Sequence, residues 1–486
     1  MKKTTSQLAI PMLAGVLALG SGAAAFAQGD SGALLDALVR KKVLNAQEAE
    51  DIRADLIRDN ATTNAGKINL SNSVTSLKLY GDLRMRYQWD QKQDQVSSIN
   101  HDSQRSRERF RLRLNADFQL TDNIFGGVQL QTNNAADSGN QTFGGGFGNY
   151  NIYISRAFMG WQAAPWFTGI IGKQANPFYT TDLVWDADIN PEGLVERIDF
   201  HKIFTGNSVS GYTKDGKSVV STSSVCLETP WELSLIAGQL VYDDNKESAV
   251  GTDFHTDAWL FNTQLVGSYK ITPNVKFTVA PGYMTYTAAN TTNLNNETAF
   301  MTNQTDPTDS TKTTALLAHG STRDLSIVTA PGDVSFKVAG LKAKVLWDFA
   351  YNLAGKSRFD DIYGLDVPEI NQHHTSQDDL AWLAGVQLGE NKKKGDWSVL
   401  ANFRQTGISA VDPNLNDSDF ALGQLNTQGV KAGVAYNFTD SCVGAVTYYD
   451  AWNLRKNLDL GQATSGQKIA NVNSVQILQV DLSVKF

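Results

Sequence analysis

From Leu77 onward the chain alternates apolar and polar residues with a period of two, the spacing of strands whose two faces meet different surroundings. Leu77, Leu79, Leu83, Met85, Tyr87 and Trp89 share one face, and Lys78, Asp82, Arg84, Arg86 and Gln88 take the other. The next segment repeats the scheme, with Phe110, Leu112, Leu114, Ala116, Phe118 and Leu120 against Arg109, Arg111, Arg113, Asn115, Asp117 and Gln119. At the end of the chain Leu478, Val480, Leu482, Val484 and Phe486 oppose Gln479, Asp481, Ser483 and Lys485. One such strand suits a soluble sandwich as well as a membrane barrel. Charged faces of this length do not fit a dry core, whereas an oily exterior around a wet interior accommodates both.

The pattern predicts an all-β fold, a transmembrane antiparallel barrel of about sixteen strands. They fall near 77-89, 107-120, 124-133, 150-162, 167-174, 194-203, 231-242, 256-271, 274-287, 324-338, 341-352, 379-390, 397-406, 425-438, 442-453 and 472-486. Most approach the ~9–11 residues needed to cross a bilayer at a tilt, and an even count returns both barrel ends to one side. The stretch 204-229 reads either as a long loop or as another hairpin. Connections alternate between short ones, such as 121-123, 163-166, 272-273 and 439-441, and long ones at 90-106, 175-193, 288-323, 353-378, 407-424 and 454-471. Short periplasmic turns and long external loops mark membrane barrels. Tyr87, Trp89, Trp161, Trp166, Tyr436, Phe438, Tyr448 and Tyr449 lie near strand ends, as interfacial girdles do.

The period becomes helical only over residues 31 to 58, where Leu34, Leu35, Leu38 and Val39, then Ala49, Ile52 and Leu56, recur on one side. Asn45 with Glu48 spells a capping box that starts the second of two short helices. This pair has too little apolar surface to stand alone and packs on another chain, on the barrel or on peptidoglycan; the sequence does not choose. Ahead of it, Lys2 and Lys3, an apolar run from Leu8 to Leu19 and Ala25-Phe26-Ala27 form a secretory signal. The expected organisation is signal peptide 1-27, periplasmic helical pair 28-58, linker 59-76 and barrel 77-486 with an inward-folded loop at 174-193.

No later segment offers the roughly 18 apolar residues of a spanning helix. A mean hydropathy of -0.28 is compatible with a barrel, only half of whose strand residues touch lipid. Net charge -8 argues against a nucleic-acid partner. Cys226 and Cys442 are too few for a disulfide framework, and no bond between them is expected. Six scattered histidines match no catalytic motif, so an enzyme is not expected. His373-His374 with Asp378 and Asp379, and Asp306, Asp309, Asp360 and Asp361, read better as solvated loops than as metal sites. No cofactor or metal is expected.

The strand faces place Arg84, Arg86, Arg109, Arg111, Arg113 and Arg156 inward on neighbouring strands, with Lys342 and Lys344 inward elsewhere. Singly, each arginine suits an ion pair with an inward acid such as Asp82 or Asp117; as a set they suit a pore wall. The loop after the fifth strand combines Asp182, Asp186, Asp188 and Glu192 with Phe178, Leu183, Val184 and Trp185. Folded inward, its apolar side would anchor on the wall while its carboxylates faced the arginines. Opposed charges at a narrow point set ion preference.

Gly172-Lys173-Gln174, Asn176-Pro177-Phe178 and the run from Leu183 to Gly193 resemble the corresponding loop of the bacterial putative-porin family of outer-membrane channels. That family's signal peptide and short helical pair are also similar to those of this chain. The resemblance implies passive diffusion of small hydrophilic solutes through a water-filled channel and oligomerisation, with a homotrimer expected, and it names no solute. The remaining alternatives are a sugar- or phosphate-specific porin and a closed structural or adhesive barrel. Outer-membrane lipid surrounds such a barrel, and Phe486 is expected to close it and to be read by the outer-membrane assembly machinery.

Overall fold

The computed structural model describes residues 38–41, 43–45, 47–52, 70–96, 99–205, 211–212, 218–219, 229–244, 257–287, 303–306, 309–315, 324–363, 374–456 and 471–486. The chain divides into two units at Ser71 and Asn72. In the first, residues 47–52 are helical behind the capping box that the sequence spells. Glu48 N–H donates to Asn45 Oδ1 at 2.8 Å, and Asn45 N–H donates to Glu48 Oε2 at 2.9 Å.

The second unit is a closed ring of sixteen antiparallel strands. They are β1 (Val74–Val96), β2 (Ile99–Leu120), β3 (Ile124–Thr132), β4 (Ile152–Ala164), β5 (Phe167–Lys173), β6 (Glu192–Asp199), β7 (Trp231–Asp243) and β8 (Ala258–Thr272). The ring continues with β9 (Val275–Val279 and Gly282–Tyr286), β10 (Ser326–Thr329 and Gly332–Val338), β11 (Leu341–Asn352) and β12 (Leu380–Gly389). It ends with β13 (Trp397–Thr406), β14 (Thr427–Asn437), β15 (Cys442–Asn453) and β16 (Asn471–Lys485). Each strand pairs with its neighbours in sequence, and β16 returns to β1 with Asp82 opposite Lys485. Phe486 completes that seam, donating to Gly81 O at 3.1 Å and accepting from Gly81 N–H at 2.8 Å. Closure removes every edge of the sheet, as a bilayer requires.

Exposure follows the predicted faces. Leu79, Met85, Leu482 and Phe486 are exposed on the outer wall, whereas Arg86 and Gln88, one residue out of step, are buried inside. β9 and β10 are each interrupted by an Ala-Pro step, because proline has no amide to give to the ladder. The remaining groups bridge the gap: Ala280 N–H donates to Pro331 O and Ala330 N–H to Phe349 O, both at 2.8 Å.

Three expectations are corrected, and one stretch left open is resolved. The hairpin of β1 and β2 runs on through most of 90-106, pairing Asp90 with Arg105 and Gln91 with Gln104; both faces are polar there, so the alternation vanishes while the ladder continues. The strand expected at 194-203 stops at Asp199, and Phe200–Thr205 is a helix. Within 204-229, left open between loop and hairpin, Gly211–Tyr212 and Ser218–Val219 form a short antiparallel pair that adds no strand to the ring. Tyr449 is buried in the lumen and belongs to no girdle, unlike the exposed Trp161, Tyr436 and Phe438. The signal segment, the linker up to residue 69, Cys226, His373 and most of 288-323 and 454-471 lie outside the described residues.

Candidate functional site

Pairing turns the charge pattern of β1 and β2 into a ladder, with Asp82 opposite Arg113, Arg84 opposite Arg111 and Arg86 opposite Arg109. Like charges directly opposite each other repel, so the rungs need anions between them. Asp82 accepts from Arg113 Nε at 2.7 Å and from Arg111 Nη2 at 3.0 Å. Asp481 of β16 forms a two-pronged pair with Arg86 at 2.7 and 2.9 Å. Arg109 donates to Gln88 Oε1 at 3.1 Å and to Ser138 Oγ at 3.3 Å. Two further guanidinium groups are held by asparagine side chains. Arg84 Nη2 donates to Asn140 Oδ1 at 2.6 Å and Arg156 Nε to Asn190 Oδ1 at 2.7 Å, and neither forms an ion pair among the described residues.

The loop between β5 and β6 folds into the ring. Its neck is closed by Gln174 N–H donating to Pro191 O at 3.0 Å, next to the facing pair Gly172 and Gly193. Both glycines hold positive φ, 112° and 140°, and a Cβ would lie 2.4 Å from Ala157 O at the first and 2.2 Å from Gln239 O at the second. Only glycine satisfies both constraints. Leu183, Val184 and Trp185 are nearly fully buried against inward Ile236, Leu260, Met284 and Leu383 of β7 to β12. Burial of such a side chain contributes about 1.5–3 kcal/mol, which outweighs leaving it in water. Thr181 Oγ1 donates to Asp348 at 2.7 Å, and Tyr179 exchanges two main-chain bonds with the Gln264 amide at 2.8 Å each.

A second loop, between β13 and β14, also lies inside. Ile408, Val411 and Leu415 join the same apolar cluster, while Phe420 packs with Tyr449, Val475 and Ile477. The two loops are tied together by Asp186 N–H donating to Leu415 O at 2.6 Å and by Ser418, whose N–H and Oγ both donate to Asp186 Oδ2 at 3.0 Å. Arg404 clamps the second loop, donating to Asp417 at 2.6 Å and lying 3.6 Å over the Phe420 ring.

Four of the loop carboxylates fall into two electrical states. Lys431 beside Asp182 holds that carboxyl below its ordinary range. Burial alone would raise Asp419, but Arg86 at 3.2 Å and its cationic neighbours outweigh burial and hold it down. Burial, reinforced by the Asp417 charge, pushes Asp186 up to about 8. Asp417 is raised by burial as well.

The structure therefore distributes the expected residues unevenly. Asp188 meets the ladder directly, 3.3 Å from Arg111 and 3.8 Å from Arg113, so this loop touches the arginine wall instead of facing it across open space. Asp182 and Asp186 bind Lys431 and the second loop instead. Glu192 opens β6 and pairs with Lys173 on an exposed rim, away from the arginines, because it follows the neck of the loop. Lys342 pairs with Glu390 at 2.9 Å beside the short turn, and Lys344 lies 3.6 Å from Asp333. Asn140, Asn190, Asp417, Asp419 and Asp481 escaped the sequence reading as site residues. Asp481 was already on the inward face, and 407-424 shows the same mixture of acids and apolar residues that singled out the first loop. Beneath the loops a cavity of about 500 Å³ is lined by Asp82, Arg113, Asn115, Gln129, Arg156 and Lys485, among others. Elsewhere His374 Nε2 is bonded to both Asp379 oxygens at 2.8 Å, and no group of three or more metal-ligating side chains is present among the described residues.

Among solved structures, the chain is similar to OmpF of Salmonella typhi in complex with daunomycin, at 10% identity and TM-score 0.44, over 86% of this chain and 100% of that one. Outer-membrane-expressed OmpT of Vibrio cholerae gives 10% identity and TM-score 0.39, over 86% and 100% of the two chains. A mutant of that OmpT lacking loop L8 gives 9% and 0.37, over 85% and 99%. No curated protein matches. A family profile described as "Putative porin" matches residues 89–330 and 328–486, nearly the whole barrel. The sixteen-stranded transmembrane barrel thus belongs to that family of porins.

Proposed function

We propose that the protein is a non-enzymatic outer-membrane channel for passive diffusion of small hydrophilic solutes, its passage bounded by the arginines of β1, β2 and β4 and by the two inward loops. The observation that carries this reading is the division of the lumen. Apolar loop residues fill the side formed by β7 to β12, and charged groups with a cavity occupy the side formed by β1 to β4. Opposed charges at such a place filter ions and orient dipolar solutes. In this reading the short turns and the helical unit are periplasmic, the long loops are external, the working form is a homotrimer, and Phe486 serves assembly. Peptidoglycan remains the proposed partner of the helical unit.

Reconstitution of the folded protein in planar bilayers is expected to give stepwise ohmic conductance, and repeated silence would overturn the reading. Arg109→Gln, Arg111→Gln and Arg113→Gln together remove three cations while Asp82 and Asp188 stay behind. The reversal potential should then move toward cation preference. An unchanged potential would remove these arginines from the selectivity step.

A further inference from the structure

We infer that the lumen carries a binding station for small oxyanions, carboxylate or phosphate, built on Arg156 and repeated at Arg84; this rests on the channel reading above. The inference starts from what orients each guanidinium. Arg86, Arg111 and Arg113 are matched to carboxylates, which spends their charge. Arg156 and Arg84 are instead fixed by the amide oxygens of Asn190 and Asn140, which are 9% and 4% exposed. An aspartate at either place would form a stronger, charge-assisted bond. The neutral amide holds the fork in place and leaves its charge and remaining N–H donors for a ligand.

Both amides are themselves oriented. Asn190 Nδ2 donates to Asp188 O at 3.4 Å, and Asn140 Nδ2 donates to Ser138 Oγ at 3.2 Å, which turns each oxygen toward its arginine. Arg156 opens into the cavity of about 500 Å³, room for a small organic acid. The floor is preorganised, since Gln129 Nε2 donates to Asn115 Oδ1 and Ser155 Oγ to Gln129 Oε1, each at 2.6 Å. Arg113, Arg156 and Lys485 supply three positive charges to this cavity against Asp82 and Asp440. Both acids are engaged, Asp82 by the ladder and Asp440 by the Lys394 amide at 2.7 Å. Arg84 shares its rung with Arg111, one rung past the Asp82–Arg113 pair, so an oxyanion moving along the wall from Arg156 passes a matched pair before it reaches the second amide-held guanidinium. Separated sites of modest strength favour entry without blocking exit.

The test uses the full-length folded protein, with succinate and inorganic phosphate as separate probes that distinguish the two oxyanion classes. Calorimetry in detergent should show saturable binding of at least one probe, weakened about tenfold by Arg156→Gln and by Asn190→Asp, the loss expected for one charge-assisted contact. Arg156→Lys keeps the charge without the fork. In bilayers it should retain preference for chloride over potassium and lose preference for the oxyanion over chloride. Absence of saturable binding to the unsubstituted protein, or wild-type binding in both Arg156→Gln and Asn190→Asp, would overturn the station. Binding that persists in a protein giving no conductance would support the station while overturning the channel.

Discussion

Asp186 illustrates how one side chain reports the state of the lumen. It joins the two inward loops, which the Asp417 N–H also ties through Asp182 O at 3.2 Å, and burial beside Asp417 raises it from 3.8 to about 8. Because the folded value is above the unfolded one, the unfolded chain binds fewer protons between those limits. The contribution of Asp186 to stability is therefore fully present below about pH 4 and is lost as pH rises toward 8. Thermal unfolding followed by the heat-dependent mobility shift should accordingly occur at lower temperature at pH 9 than at pH 5. Asp186→Asn should flatten that slope; a variant with the full wild-type slope would locate the titration elsewhere.

At the scale of elements, the inward loop depends on its neck as much as on its apolar residues. Gly193→Ala places a methyl group into the β7 backbone and forces a left-handed φ on alanine, so a loss of about 1–3 kcal/mol in unfolding free energy is expected from backbone strain alone. Gly340→Ala, at φ 82° in an open turn, is the comparison: it carries the strain without the clash and should lose less. Equal losses would remove the clash from the account. Strand positions were legible in the sequence because lipid outside and water inside impose opposite demands on successive residues. Where both faces are polar, as from Asp90 to Gln93, that contrast disappears and the strand ends became illegible. The loop at 174-193 was legible from acids beside Trp185, but its contacts were not. Which arginine meets Asp188, and that Glu192 meets Lys173, depend on the register of strands far apart in sequence. The second inward loop carried a readable signal in Asp417, Asp419 and Phe420, diluted by the small polar residues around them.

For the whole molecule, fifteen of the sixteen strand pairings join neighbours in the chain and one does not. Only β1 with β16 brings together residues such as Arg86 and Asp481, 395 positions apart. Arg86 is buried at that seam and also reaches Asp419, 333 positions away, so a single guanidinium fastens the first strand to the last and to the second inward loop. Arg86→Gln in full-length protein is expected to slow refolding into lipid vesicles more than Arg113→Gln, whose partner Asp82 is 31 positions away. Equal rates would separate Arg86 from the closing step. Loop-closure entropy grows with the logarithm of separation, and joining residues 395 apart costs about 5 kcal/mol before any contact at the seam is made. Local hairpins can zip in any order, but the ring has a single long-range event, and topologies dominated by distant contacts fold slowly. The residue that sets the charge of the lumen beside β16 thereby also acts on the rate at which there is a lumen at all.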